Sequence, residues 1–318
     1  MKTKIIYTLV GDVNDVYLPQ AMIAIYSARI HNQGATIILV VDYNTSCVIN
    51  ETLPKIKDYI NEILVVNTPG NMSNKEKSRY IKTTLRQHIK GDYLFIDTDT
   101  IITESLESID LVEGNIAAVL DRHILVENHQ YKNKICAELQ LLGMNLEDLQ
   151  DQYFNSGVMY VKDTDLAHEF YKKWYSNWEY SRKLGKCIDQ PSMALANKQC
   201  NYPIFELEGI WNCQLADNFL NFLHDAKILH YFASNNSSPY RLYDKRIFID
   251  ILTNKSIPPY LKNQLQHPKD FFVTKHSLAY GKDVTFLNSN LHKIFLWHKK
   301  IFDFFEFLSR VLISKKIC

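Results

Sequence analysis

The most informative segment of the chain reads YLFIDTDT, from Tyr93 to Thr100. Its first four residues form an apolar run without alternation, which predicts a strand buried on both faces of a sheet. Asp97 and Asp99 follow, and two carboxylates on alternate residues can face one divalent cation such as Mg²⁺ or Mn²⁺. The next residues are apolar again, so the pair interrupts extended chain. A carboxylate pair at a strand end is a candidate functional site.

The segments on either side of this run alternate between strand and helix patterns. Uninterrupted apolar strands between helices predict an α/β protein with a parallel sheet covered on both faces. Ligands of such sheets bind beyond the carboxyl ends of the strands, here after Val10, Val41 and Ile96. The sequence has no GxGxxG or GK[ST] motif, which argues against a dinucleotide or P-loop site. The predicted strands are 5–10, 36–41, 62–66, 93–96 and 157–161, and the predicted helices are 19–31, 53–59 and 75–89.

The composition of the 318 residues is that of a globular protein, with 46% hydrophobic and 22% charged residues. These values exclude a disordered or collagen-like chain. A formal net charge of +1 argues against nucleic acid as the main partner.

The six cysteines form no CxxC pair, which argues against a zinc ribbon. The first apolar run is too short for a signal peptide, and no run approaches the about 18 residues of a spanning helix. We therefore expect a cytoplasmic protein with reduced thiols.

A second Asp-x-Asp pair, Asp163 and Asp165, shows that the pattern alone is not specific. This pair precedes a strongly periodic helix, where Asp and Thr side chains bind free backbone N–H groups. We therefore interpret 163–165 as a helix cap and keep the pair at 97 and 99 as the functional candidate.

Three further segments place polar residues next to apolar strands or at a helix start. They are Asn155, Ser156 and Gly157 immediately before a predicted strand in FNSGVMYV, Asp189 and Gln190 before a Pro-initiated helix in CIDQPSMALA, and His230 at the end of a short strand in KILHYF. The order DTD, FNSG, DQ and HYF resembles that of nucleotide-sugar glycosyltransferases of the GT-A fold, family 8 in particular. That family includes glycogenin and bacterial lipopolysaccharide galactosyl- and glucosyltransferases.

The resemblance covers roughly residues 1–235 and implies a GT-A domain there, an α/β fold whose Rossmann-like mixed sheet is flanked by helices. A helical extension is expected at 236–318. The implied reaction transfers a hexose from a nucleotide diphosphate sugar, UDP-Gal or UDP-Glc, to a saccharide or lipid-linked saccharide. The implied setting is bacterial surface-polysaccharide assembly, with the anomeric configuration retained.

In the family, two aspartates and a distant histidine hold the Mn²⁺ (or Mg²⁺) that bridges the donor's phosphates. Carried over, this implies Asp97, Asp99 and His230 as ligands, with Thr98 between them in the donor site. Two carboxylates and an imidazole leave positions open for diphosphate oxygens. Without the resemblance, a packed histidine is the simpler interpretation of His230.

The family usually continues after this histidine to a Gly and to a Lys that contacts the diphosphate. Here Ala233 and Asn236 stand at those places. Arg241 and Lys245 are the candidates to replace the lysine.

The nucleotide side of the site is implied at two places. SRYIKTTL (Ser78–Leu85) is similar to the family segment whose Arg contacts the nucleotide, which gives Arg79 as the candidate and Lys82 as the reserve. A solvated helix face is the alternative for both. The end of the first strand resembles the uridine pocket, with Thr8 on the strand and Tyr17 placed to stack on the base.

Asn155, Ser156 and Gly157 resemble the residues that line the sugar and the acceptor. Glycine lets the backbone approach a ligand closely, and an amide binds sugar hydroxyls. Trp211 and Asn212 are candidates for the acceptor pocket. The alternatives are a strand-entry turn for the first group and core packing for the second.

Asp189 and Gln190 resemble the pair beneath the reacting sugar and, with Asn155, are the catalytic candidates. A carboxylate there binds hydroxyls, and a polar side chain steadies an oxocarbenium-like centre. In an inverting relative, Asp189 would be the first candidate for a general base. The alternative for Asp189 is a helix cap before Pro191.

The segment 291–318 combines an apolar helical stripe with basic residues that outnumber acidic ones. This pattern predicts a helix at an anionic membrane surface, on the cytoplasmic face of the inner membrane. The alternative is a helix that docks on the core or on a second copy.

Two other functions are kept as alternatives. A nucleotidyltransferase also uses paired carboxylates and Mg²⁺, but it would show a Gly-rich basic loop where this chain has LVGDVND. A non-catalytic sugar-binding protein of the same fold would differ only in turnover.

Overall fold

The computed structural model describes residues 1–13, 15–216, 218–231, 245–272 and 289–314. Helices cover a seven-stranded sheet of order β3-β2-β1-β4-β7-β6-β8, and a three-stranded sheet of order β5-β10-β9 adjoins it. The strands are β1 Lys4–Leu9, β2 Ile37–Val41, β3 Glu62–Val65, β4 Tyr93–Ile96, β5 Thr100–Ile102, β6 Ile116–Leu120, β7 Phe154–Val161, β8 Ile204–Glu206, β9 Cys213–Gln214 and β10 Ile228–His230.

The helices that share the two apolar cores lie on the two faces of the larger sheet. In chain order, the helices are α1 Tyr17–His31, α2 Tyr43–Thr52, α3 Asn74–His88, α4 Lys132–Gln140, α5 Asp165–Lys183, α6 Gln190–Gln199, α7 Leu220–Leu223, α8 Lys245–Asn254, α9 Pro259–Gln266, α10 Asn290–Trp297 and α11 Lys299–Ser314.

The sheet is mixed, as the resemblance implied, and not fully parallel as the strand pattern alone predicted. Strands β1 to β4 pair in parallel, whereas β7 is antiparallel to both β4 and β6. All eight residues of β7 are buried, so its apolar run looks like that of a parallel strand. The apolar pattern of a strand depends on its burial on both faces and does not reveal whether the strand is parallel or antiparallel to its neighbours.

Two local predictions need correction. The helix predicted at 53–59 is a 3₁₀ turn, Pro54–Tyr59, and the α-helix of this region is α2. Asp42 is the N-cap residue of α2, and its side chain accepts a hydrogen bond from the N–H of Thr45. Strand β6 was not predicted, although its sequence IAAVL is fully buried.

A capping box fixes the start of α3 and therefore the position of the basic residues on it. The side chain of Ser73 accepts from the N–H of Glu76, and the Glu76 side chain accepts from the N–H of Ser73. Arg79 and Lys82 follow on successive turns of the helix. Glu76 also pairs with Arg182 of α5 at 3.1 Å, which joins the two helices that cover this face.

Helices α8 and α9 pack on α1 rather than standing apart from the first domain. Their buried residues Phe248, Ile251, Leu261 and Leu265 belong to the same apolar core as β1 and α1. The predicted boundary at 235/236 falls within 232–244, outside the described residues. Among the residues described, no helix combines the length and the apolar character that crossing a bilayer requires.

Candidate active site

The Asp-Thr-Asp bend lies where the two sheets meet. The N–H of Asp97 donates to the carbonyl of Gly157 in β7 at 2.7 Å, which anchors the end of β4. After the bend, β5 pairs antiparallel with β10, and His230 lies opposite Thr100. The N–H of Tyr231 donates to the carbonyl of Asp99 at 3.1 Å. Backbone pairing therefore brings a histidine from the far end of the domain to the aspartate pair.

Asp97, Asp99 and His230 form a cluster with the donor set of a metal site. One ligand atom from each lies within 4.8 Å of the others, and Asp99 Oδ1 is 3.3 Å from His230 Nε2. No other cluster of three such side chains occurs in the described part of the chain. Two carboxylates and one imidazole suit Mn²⁺ or Mg²⁺, so the residues present fit the ion that the resemblance implied.

Within the cluster, Asp99 and His230 stabilise each other's charged form. Burial disfavours the imidazolium of His230, but the Asp99 carboxylate outweighs burial and raises the pKa of His230. Burial likewise opposes ionisation of Asp99, and His230 outweighs it and lowers the pKa of Asp99. At Asp97 burial dominates and raises the pKa, although Lys82 opposes the shift.

Lys82 lies at the centre of the charged groups, deeper than Arg79. Its side chain is only 3% exposed, and Nζ is 3.3 Å from both carboxylate oxygens of Asp97. The same Nζ is 3.3 Å from Asp189 Oδ2 and donates to Ser156 Oγ at 3.2 Å. The structure thus excludes a solvated helix face for Lys82.

Asp189 faces this cation and not the helix that it begins. Its side chain makes no capping hydrogen bond to α6. Arg79 Nε lies 2.9 Å from Oδ1, and the hydroxyl of Ser156 donates to Oδ2 at 2.8 Å. Burial opposes ionisation of Asp189, but Lys82 and Arg79 outweigh it and hold the pKa of Asp189 well below its usual range. The helix-cap alternative is therefore wrong for this side chain.

Asp121 is a member of the site that the sequence analysis missed. Its Oδ1 accepts from Asn155 Nδ2 at 2.8 Å and from Gln190 Nε2 at 3.2 Å. Its Oδ2 lies 2.9 Å from His129 Nε2. Burial raises the pKa of Asp121, but the bonds from His129 and Asn155 outweigh burial and lower it. An apolar run, IAAVL, ends at Asp121 as YLFI ends at Asp97, and that signal could have found it.

Gly157 lies against the aspartate pair inside β7, which begins at Phe154, three residues before the predicted start at 157. A Cβ at this position would lie 2.5 Å from His230 Cε1 and 2.9 Å from both Asp97 Oδ2 and Asn155 Oδ1. Asn155 and Ser156 also belong to the strand. The strand-entry turn is therefore wrong, and a glycine is needed because three side chains converge on its Cα.

The remaining candidates differ in burial. Thr8 is buried in β1, Thr98 is half-buried in the bend, and Tyr17 is exposed at the start of α1. Trp211 is buried in the core, with Lys227 Nζ 5.4 Å from its ring centre. Asn212 is fully buried between Asn155 and His230.

Three candidate positions, Ala233, Asn236 and Arg241, and the side chain of Lys245 lie outside the described residues.

A family model described as Glycosyl transferase family 8 matches residues 8–236. The chain belongs to glycosyl transferase family 8. The match includes the bend, β7, the start of α6 and His230, so it spans every residue of the site described above. Because the chain belongs to this family, it is a nucleotide-sugar glycosyltransferase and not a nucleotidyltransferase.

Solved structures of family 8 enzymes share the fold. The galactosyltransferase LgtC, in complex with donor and acceptor sugar analogues, aligns with 82% of this chain and 100% of its own at a TM-score of 0.52 and 16% identity. GlyE of Streptococcus pneumoniae TIGR4 aligns with 88% of this chain and 67% of its own, at 0.50 and 16%. The bifunctional glycosyltransferase WbbM aligns with 83% of this chain but 51% of its own, at 0.50 and 16%. The fold is therefore GT-A. No curated protein sequence matches significantly.

Proposed function

We propose that this family 8 member transfers a hexose from UDP-Gal or UDP-Glc to a saccharide or lipid-linked saccharide, in a reaction that requires Mn²⁺ or Mg²⁺ and retains the anomeric configuration. The observation that carries the proposal is the cluster of Asp97, Asp99 and His230, whose ligand atoms lie within 4.8 Å of one another. Lys82 contacts Asp97 of this cluster, and its buried cation supports the binding of a diphosphate nearby.

Asp97, Asp99 and His230 would hold the metal ion. Once bound, the ion would neutralise negative charge on the departing nucleoside diphosphate. Arg79 supplies a second positive group to the same region, because its side chain is one-third exposed beside Asp189. We assign Thr8, Tyr17 and Thr98 to the nucleotide side of the site.

The chemistry of Asp189 favours retention over inversion. A general base works best when its pKa lies near the working pH. Lys82 and Arg79 instead lower the pKa of Asp189, which makes this carboxylate a weak base. The ionised group is suited to accept hydrogen bonds from sugar hydroxyls, and Ser156 steadies it.

Gln190 is the group that we assign to the reacting carbon. Its Nε2 donates to Asp121 Oδ1 at 3.2 Å and to the carbonyl of Phe154 at 3.1 Å. With both amide hydrogens engaged, the carbonyl oxygen is the atom that Gln190 can offer to an oxocarbenium-like centre. Asn155, Gly157, Trp211 and Asn212 would line the sugar and acceptor side.

The test measures UDP release from a panel of UDP-sugars with Mn²⁺, with Mg²⁺ and with EDTA. We expect slow hydrolysis of one donor, lost in EDTA and in Asp99→Asn. Asp165→Asn, at the second Asp-Thr-Asp, is the matched control and should retain the wild-type rate. If the wild type releases no UDP and shows no metal-dependent UDP binding, the metal and donor assignments are wrong and a binding protein is the better description.

The C-terminal helices carry the proposed membrane contact. Large apolar side chains are exposed along α10 and α11, among them Trp297, Phe304, Phe305 and Phe307. Lys293, Lys299 and Lys300 belong to the same two helices, and such a combination favours anionic lipid surfaces. We assign the enzyme to the cytoplasm, bound peripherally to the inner membrane.

Sedimentation with vesicles tests this assignment. Full-length protein should sediment with vesicles rich in phosphatidylglycerol and not with pure phosphatidylcholine. Phe304→Glu with Phe307→Glu should abolish this binding. A concentration-dependent dimer that these changes dissolve, without vesicle binding, would favour the dimer-helix alternative.

A further inference from the structure

We propose that Asn212 is a positioning residue that fixes the tautomer of His230, as the last link of a hydrogen-bond relay that starts at Asp121 and the Gly157 N–H. The inference rests on the proposed function, because it takes His230 as a metal ligand. It gives Asn212 a role that does not depend on a bound acceptor saccharide.

The relay begins at Asn155, whose amide can adopt only one orientation. Its Oδ1 accepts from the N–H of Gly157 at 2.9 Å, and its Nδ2 donates to Asp121 Oδ1 at 2.8 Å. A backbone N–H can only donate, and an ionised carboxylate can only accept. Turning the Asn155 amide over would break both bonds at once.

The orientation of Asn155 then determines that of Asn212. Asn212 Nδ2 donates to Asn155 Oδ1 at 3.0 Å, so Asn212 Oδ1 is the atom 3.0 Å from His230 Nδ1. An amide oxygen has no proton to give, and the hydrogen bond therefore requires the proton on His230 Nδ1. Asn212 is fully buried and His230 is 3% exposed, so bulk water does not compete for these bonds.

A proton on Nδ1 leaves the lone pair of the neutral ring on Nε2, the nitrogen 3.3 Å from Asp99 Oδ1. A neutral imidazole binds a metal through its unprotonated nitrogen, and a hydrogen bond at the other nitrogen orients the ring. The relay thus fixes the tautomer and the ring orientation of His230 independently of the metal ion. It also couples Asn155, which we assign to the sugar side, and its partner Asp121 to the metal side.

Two substitutions at one position separate this role from simple packing. Asn212→Leu keeps the size but removes the acceptor for Nδ1–H. Asn212→Asp keeps an acceptor for Nδ1–H but loses the donor to Asn155 Oδ1, the earlier link of the relay. We expect Asn212→Leu to weaken Mn²⁺ binding about tenfold to a hundredfold, the usual cost of losing such a partner, and Asn212→Asp to bind Mn²⁺ more tightly than Asn212→Leu.

The probe is Mn²⁺ titrated into the full-length protein at fixed UDP, without acceptor, with free Mn²⁺ measured by electron paramagnetic resonance. Asn197→Leu is the control for the loss of a buried amide elsewhere, since Asn197 accepts from the Ile204 N–H at 3.1 Å. This control should lose stability but keep Mn²⁺ affinity. Equal affinity of Asn212→Leu and wild type would overturn the relay and leave the proposed function standing. A wild type that binds no Mn²⁺ would overturn both.

A measurement on the wild type covers the case in which Asn212→Leu does not fold. Nitrogen-15 NMR of the histidine rings, at alkaline pH where the imidazole is neutral, reports which nitrogen of His230 carries the proton. Protonated Nδ1 supports the relay, and protonated Nε2 overturns it.

Discussion

The tripeptide Asp-Thr-Asp occurs twice, at 97–99 and at 163–165, and the two copies lie at opposite ends of one pair of strands. The first follows β4 and the second follows β7, and these strands are antiparallel, with Ile96 opposite Val158 and Tyr93 opposite Val161. The first copy therefore lies at the carboxyl edge of the parallel strands, where α/β sheets bind ligands. The second lies at the other edge.

The partners of the carboxylates differ accordingly. Asp163 accepts from the N–H of Gly91, lies 3.3 Å from Arg86 and 2.9 Å from His168, and Thr164 caps α5. These bonds hold the loop before β4 and the N-terminus of α5 in place. At the first copy, side chains from α3 and β10 converge on the aspartates, and the result is a cluster that suits a cation. The same three residues thus serve structure at one edge and the proposed chemistry at the other.

The largest contrast is expected between the glycines that face the two copies. Gly157→Ala places a methyl group 2.5 Å from His230 Cε1 and 2.9 Å from Asp97 Oδ2. We expect Mn²⁺-dependent UDP release to fall about 100-fold, because misplacement of a reacting group by about 1 Å has that cost. Gly91→Ala meets open space but a φ of +77°, so it should cost about 1–2 kcal/mol of stability with activity kept. Equal activity of the two variants would contradict the assignment.

The two buried cations give the next contrast. Lys82→Met leaves Asp97 and Asp189 without their shared cation, and we expect UDP release to fall at least about tenfold. Arg86→Met removes one partner of Asp163 and the buried donor to the carbonyls of Ile89 and Gly91. It should lower the free energy of unfolding by about 1–3 kcal/mol. Its kcat and KM should stay at wild-type values below the melting temperature. Kinetics and urea melts on both variants test this, and a loss of turnover in Arg86→Met would remove the distinction between the edges.

The threonines offer a smaller contrast in stability. The hydroxyl of Thr164 accepts from the N–H of Ala167 at 3.4 Å, and Thr164→Ala should cost about 1 kcal/mol as a lost helix cap. Thr98 lies in a bend and begins no helix, so Thr98→Ala should change stability by less than about 0.5 kcal/mol. Thermal melts of the two variants provide the measurement, and the reverse order would be inconsistent with the capping role.

The smallest expected effect is the pH dependence of the second copy. Hydrogen bonds from His168 and from the Gly91 N–H lower the pKa of Asp163 from its ordinary 3.8. A lowered pKa means that the stabilisation is complete above about pH 4 and is lost as the pH falls through the lowered value. The gap in unfolding free energy between wild type and Asp163→Asn should therefore shrink from pH 7 to pH 3. A gap that does not change with pH would show that the charge of Asp163 contributes nothing.

The motifs were predictable because their chemistry is local. The apolar run before Asp97, the glycine in FNSG and the histidine after KIL stand out without a fold, and together they led to family 8. Asp121 was missed because β6 was missed. The preference for Arg79 over Lys82 rested on the motif alone, since a sequence does not tell which of two basic residues on one helix turns inward.

The sequence by itself determined the family, the early strands and the residues that could bind a metal, since residue type and hydrophobic period are properties of short segments. Only the tertiary structure decided which Asp-Thr-Asp faces His230, that β7 runs antiparallel and that Asn155 and Asn212 join Asp121 to His230. Those relations connect residues as far apart in the sequence as Asp99 and His230. They depend on strand direction and helix orientation, which burial fixes but the order of residues does not display.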